Sequence, residues 1–123
     1  NVWVSVLGAR VLGPKTTDFL PSGTESSIAY TGDPKTFKAS VSVSWECENK
    51  QDLCGLRIEK NANIIASSEQ NANVDDNNTY PRNRTSSCIV SLSTGDVITV
   101  AVRNRNDTDN ILVSWMNLSI VQV

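Results

Sequence analysis

Two pairs of arginines, Arg82 with Arg84 and Arg103 with Arg105, are each spaced by one asparagine at or beside the two longest polar stretches of the chain. A guanidinium is planar and presents paired N–H donors, a shape that fits a carboxylate on a sialic acid or on an acidic protein side chain. Tyr80 stands near the first pair and supplies a ring on which a ligand could stack. These five residues form the candidate ligand site; solvated surface charge is the plainer reading of the same arginines. Catalytic chemistry has little to work with. The chain has no histidine, which removes the usual general base and both the Ser-His-Asp and Cys-His nucleophile systems. Hydrolysis of a glycoside by two carboxylates needs no histidine. The acids, however, cluster in polar loops instead of facing an apolar cleft, so a non-enzymatic protein is expected.

Other donor groups are weighed the same way. Asp75 with Asp76, and Asp107 with Asp109, lie in oxygen-rich stretches of the kind calcium accepts. Asx turns account for them without an ion, and no twelve-residue calcium loop is present, so no cofactor is expected. Of the three cysteines, Cys47 and Cys54 flank a polar loop that a disulfide would close for about 2 kcal/mol. A Cys47–Cys88 bridge is the alternative. A zinc site built on the three would lack a fourth ligand. Asn77, Asn83, Asn106 and Asn117 begin Asn-x-Ser/Thr sequons. The first three fall in predicted loops and are glycan candidates in a eukaryotic secretory pathway; Asn117 falls in a predicted interface strand and is expected to stay bare.

The elements that must hold these groups are strands. Val (14), Ile (8) and Thr (10) make up over a quarter of the 123 residues, a composition that favours pleated sheet. From Phe37 to Cys47 apolar and polar residues alternate strictly, the period of a half-buried strand. A hairpin is expected about Asn61 to Asn63, a long loop from 69 to 87, and strands near 1–7, 26–30, 36–47, 56–60, 63–68, 87–92, 96–103 and 110–121. About eight strands joined by turns make a two-sheet antiparallel sandwich of the jelly-roll kind, a single domain over 1–123. The chain starts without Met and already in strand pattern, as a mature form or an excised fragment would. Both ends are apolar on two faces: Ile111, Val113 and Trp115 alternate with Leu112, Met116, Leu118 and Ile120, and Trp3 interrupts a valine series. A sandwich buries one face of each sheet, so Trp3, Ile111, Val113 and Trp115 are the candidate subunit interface. Net charge of −2 and a pI near 5.0 offer nothing to nucleic acid. No apolar run approaches the roughly 20 residues of a membrane span.

The motifs Ile28-Ala29-Tyr30-Thr31-Gly32, Lys35-Thr36-Phe37-Lys38-Ala39-Ser40-Val41-Ser42-Val43, Arg57-Ile58-Glu59-Lys60-Asn61, Val90-Ser91-Leu92-Ser93-Thr94-Gly95-Asp96-Val97-Ile98 and Asn117-Leu118-Ser119-Ile120 together carry a resemblance. The chain resembles the trimeric jelly-roll heads of the tumour-necrosis-factor and complement globular-head superfamily, above all the versions that tip viral and phage fibres or spikes. The resemblance implies a TNF-like homotrimer with its N- and C-terminal strands side by side in the sheet that faces the three-fold axis. It also implies calcium near the apex in some heads. The expected function is attachment to a host-cell receptor protein or glycan from the virion surface or another extracellular setting. A secreted signalling or recognition ligand, or a purely structural trimerisation cap, is the alternative.

Overall fold

The computed structural model describes residues 3–6, 18–23, 26–47, 53–73, 82–105 and 111–123, with backbone alone for 47, 72, 73 and 82. Ten strands occur among them: β1 (Val4–Ser5), β2 (Phe19–Pro21), β3 (Ser27–Tyr30), β4 (Lys35–Cys47), β5 (Leu53–Lys60), β6 (Asn63–Ile64), β7 (Gln70–Asn73), β8 (Arg82–Leu92), β9 (Val97–Asn104) and β10 (Ile111–Gln122), with one 3-10 turn at Ala66–Ser68. All pairings are antiparallel. One sheet runs β2-β3-β9-β5-β6, with β1 also on β9 and β7 also on β5; the other is β10-β4-β8.

The period-2 pattern of β4 sets the core. Phe37, Ala39, Val41, Val43 and Trp45 are all buried, and the pleat places them on one face. Opposite β4, Ser86, Cys88, Val90 and Leu92 of β8 turn the same way and are also buried. The facing sheet contributes Tyr30, Cys54, Leu56, Ile58, Ile98 and Val100. Tyr30, Phe19 and Phe37 close one end of this core with ring centroids 5.2–5.7 Å apart. Gly32 is needed beside them, because a Cβ there would lie 2.6 Å from the Tyr30 hydroxyl.

β10 departs from its sequence reading. Val113 pairs with Trp45, but Trp115 pairs with Ser44, so Ser114 is an extra residue, a β-bulge. Its hydroxyl donates to the Ser44 carbonyl at 3.1 Å. The bulge reverses the alternation: Ile111, Val113, Met116, Leu118 and Ile120 all pack on the core, and Trp115 joins Leu112 outside. Much of the two-faced apolar character of this strand is therefore one inward face read across an irregularity.

Three further expectations change. The stretch expected to be loop up to residue 87 contains β7 and the first half of β8, whose polar residues pair along the buried Val41–Trp45 stretch of β4. The predicted strand 63–68 stops after Ile64 and turns. The N- and C-terminal strands are not neighbours: β1 pairs with β9 in one sheet and β10 with β4 in the other. A Cys47–Cys88 disulfide is excluded by register. Cys88 lies opposite Ala39, eight residues along β4 from Cys47, about 26 Å at strand spacing. Burial holds the Cys88 thiol above its ordinary pKa.

Two polar devices finish the second sheet. Between β6 and β7 the edge of β5 loses its ladder partner, and buried Ser68 replaces it: its Oγ accepts the Ile58 N–H at 2.9 Å, with its own proton directed to Ile65 O at 2.7 Å or Ile58 O at 3.1 Å. Ser86, from the other sheet, donates to the Ser68 carbonyl. At the hairpin, Asn61 and Ala62 both have positive φ (52° and 66°), the conformation of a two-residue type I′ turn. Asn61 Oδ1 accepts the Val97 N–H at 2.9 Å and its amide donates to Asp96 at 3.0 Å; Asp96 also accepts the Ser93 N–H at 2.8 Å.

Ser68→Ala strands a buried N–H, which costs about 1–3 kcal/mol; urea unfolding should show the midpoint falling by that equivalent with an unchanged slope. The Ser93 N–H, then the Asn61 amide, then Lys60 hold the Asp96 carboxyl below its usual range. A lowered folded-state pKa means that the carboxylate stabilises the fold above the ordinary value of about 3.8, and that this contribution is lost as the pH falls through the folded-state value. Asp96→Asn should therefore be less stable than wild type near pH 7, with the two thermal midpoints converging below pH 4.

Candidate functional site

The ends of the strands decide where the arginines go. Cys47, Leu53, Arg82, Asn104 and Ile111 stand at one end of the sandwich, fixed by the pairings Trp45–Arg82, Cys47–Ile111 and Cys54–Asn104. Arg84 on β8 and Arg105 in the bend after β9 are exposed there, and the Arg105 N–H donates to Leu53 O at 2.7 Å. The backbone of Arg82 lies at the same end. Tyr80, the acids Asp75, Asp76, Asp107 and Asp109, and the sequon asparagines Asn77 and Asn106 lie outside the described residues. So does the side chain of Cys47, and with it the geometry of the Cys47–Cys54 bridge; Cys54 is buried. No group of three or more Cys, Asp and Glu residues that could hold a metal ion occurs among the described residues.

Arg103 has a different role from the other arginines. Its guanidinium lies 4.5 Å from the Trp3 ring centroid, and that of Arg57 lies 4.2 Å away. Each contact of this kind is worth about 0.5–1 kcal/mol or more. Arg57 is held in turn by Glu59, at 2.5 Å, and Glu69 lies 3.8 Å from Arg103 and accepts from Asn71 at 3.1 Å. The indole fits because Gly55 lies beneath it: a Cβ there would come within 2.9 Å of Trp3 and 2.8 Å of Asn71 Oδ1. Arg57 was not singled out from the sequence. The signal was Gly55 between two apolar strand residues, a usual mark of close approach.

The four candidate interface residues divide among three places. Trp3 is clamped on the outer face of the larger sheet, Ile111 and Val113 pack against the core, and Trp115 stands outside the three-stranded sheet. That outer face is the most exposed apolar surface of β4, β8 and β10. Trp115 and Leu112 are each 57% exposed, Ile89 58% and Val121 60%. Between them the face carries short polar side chains, Ser40, Ser42 and Ser44 on β4, Thr85 and Ser87 on β8, Asn117 and Ser119 on β10, with Lys38 between Ile89 and Val121 and Glu46 beside Leu112. A groove of about 410 Å³ crosses it, lined by Ser40, Ser42, Thr85, Ser87 and, from β7, Gln70. Asn83, expected in a loop, is a strand residue on this face, and Asn117 is exposed on it.

No protein-family model matches the chain, and no curated protein matches it in sequence. Among solved structures, rabbit GITRL superposes with a TM-score of 0.55 at 17% identity, covering 89% of this chain and 81% of that one. A family 35 carbohydrate-binding module from an environmental isolate gives 0.44 at 16% identity, covering 100% and 90%. Xyl-CBM35, solved with a disaccharide containing glucuronic acid, gives 0.40 at 13%, covering 98% and 93%. The likeness to the first is one of fold: the chain is an all-β, TNF-like jelly roll of two antiparallel sheets.

If the clamp is one unit, Trp3→Ala and Gly55→Ala remove the same interaction. Each is expected to cost about 2 kcal/mol, and the double variant no more than the larger single loss. Chemical denaturation of all four proteins measures the cycle.

Proposed function

From this fold and this exposed face, we propose that the chain is a non-enzymatic binding head that acts as a homotrimer on a viral or phage fibre or spike and attaches it to a host-cell receptor protein or glycan. The observation that carries the proposal is the outer face of β10-β4-β8. It carries neutral polar side chains on its central rows, with Lys38 and Glu46 toward its two ends, and exposes Trp115, Leu112, Ile89 and Val121, the kind of surface that soluble proteins cover by association. The interface is accordingly centred on Trp115, with Leu112 and Val121 in place of Ile111, Val113 and Trp3. The resemblance of the sequence motifs to trimeric jelly-roll heads supports a trimer, though not the side-by-side terminal strands that it implied.

Three copies packed on this face would repeat the end bearing Arg84 and Arg105 three times. Individually weak contacts to an acidic sugar or carboxylate then gain through effective concentration. An extracellular setting suits such a head; no helix among the described residues is long and apolar enough to cross a membrane.

Light scattering on the chain purified from bacteria, where no N-glycan is added, tests the assembly. A mass near three protomers is expected, with Trp115→Asp dissociating about tenfold or more readily, since a buried interface tryptophan typically contributes about 2 kcal/mol. A wild-type mass of one protomer at micromolar concentration would sink the proposal. In the trimer, Arg84→Ala and Arg105→Ala should weaken cell or glycan binding at least about tenfold with no change in mass.

A further inference from the structure

Two of the sequons share the exposed face. In β8, Asn83 and Thr85 both point outward, with Arg84 between them turned the other way; in β10, Asn117 and Ser119 do the same about Leu118. All four outward residues are exposed, so each asparagine and its hydroxyl partner are presented together. Across the sheet, Asn83 pairs with Ser44, which pairs with Trp115, and Asn117 pairs with Ser42, which pairs with Thr85. One strand separates the two asparagines laterally and one outward row separates them lengthwise, about 12 Å in all at sheet spacings.

We infer that Asn83 and Asn117 are acceptor sites for N-linked glycans, and that glycans there and self-association through β10-β4-β8 exclude one another. Transfer from a lipid diphosphate-linked oligosaccharide forms a bond between the asparagine Nδ2 and C1 of the first sugar. The C1–O bond to the diphosphate breaks, the lipid diphosphate leaves with the electron pair, and Nδ2 gives up one proton. No oxidant or reductant is involved. The first sugars at Asn83 start in the same row as Trp115, with only the short Ser44 between, so they can lie across the sheet onto the indole. An N-glycan is bulky and strongly hydrated, and two of them, one on each edge strand beside Ser44 and Ser42, obstruct close apposition of the face around Trp115. The exclusion rests on the proposed trimer; the acceptor assignment does not.

The test is secretion of the whole chain from cultured animal cells, with peptide mapping after enzymatic deglycosylation, which converts each occupied asparagine to aspartate. Both sites should be occupied, and the secreted protein should have the mass of one glycosylated protomer. Asn83→Gln/Asn117→Gln, and independently Thr85→Ala/Ser119→Ala, which keep both asparagines, should restore a mass about threefold higher even with sugars elsewhere. Bare Asn83 or Asn117 in the secreted protein would overturn the acceptor assignment. Occupied sites on a trimer would overturn the exclusion and leave the trimer standing. A monomer from bacteria, where no glycan is added, would overturn the trimer and the exclusion with it, while occupancy still decides the acceptor assignment.

Discussion

The fold depends on β4 keeping a strict two-residue period for its whole length. Five consecutive inward side chains, from Phe37 to Trp45, are essentially excluded from water. Because β4 is paired on both edges, its register fixes which residues of β8 and β10 can face the core. A slip of one residue would exchange that apolar set for Lys38, Ser40, Ser42, Ser44 and Glu46, leaving the opposing sheet nothing to pack against. The small polar side chains on the outer face follow from the same constraint. With one face committed to the core, the other is free to carry short neutral side chains at its centre.

That division of labour explains what could be read from residues alone. The β4 pattern, the Asn61 turn and the two-sheet architecture follow from periodicity and turn chemistry, both local properties. β8 was legible only from Cys88 onward, because its first half is polar on both faces: its inward positions are Arg84 and buried Ser86, so no apolar alternation marks them. β10 misled for a different reason. A bulge adds one residue without changing composition, so an apolar strand with a single register shift looks apolar on both faces. The hydroxyl of Ser114 on the Ser44 carbonyl, which accompanies the shift, is a tertiary contact that no local pattern announces.

The candidate site divides along the same line. Arg84 and Arg105 were chosen for their chemistry and lie at one end of the sandwich, since β8 starts where β9 stops. Arg103, two residues before Arg105, lies on the outer face of the larger sheet and is engaged with Trp3. Sequence spacing made the two arginines of that pair look equivalent; the end of β9 at Asn104 makes them different, since Arg103 is held in the strand and Arg105 lies in the bend beyond it. The clamp also explains how a strand as short as β1 stays attached. Two ladder residues give little hold, and the stacked indole on one side and buried Val6, whose N–H donates to Val100 O, on the other add to it.

Cys88 has a use that its burial creates. Its thiol sits in the middle of β8 against Ala39, and burial keeps it in the unreactive protonated form. A thiol reagent can reach it only when the strand lifts from the core, so the labelling rate is set by how often that opening occurs. Followed at the Cys88 peptide, apart from Cys47 and Cys54, that rate gauges breathing in the three-stranded sheet without an introduced cysteine.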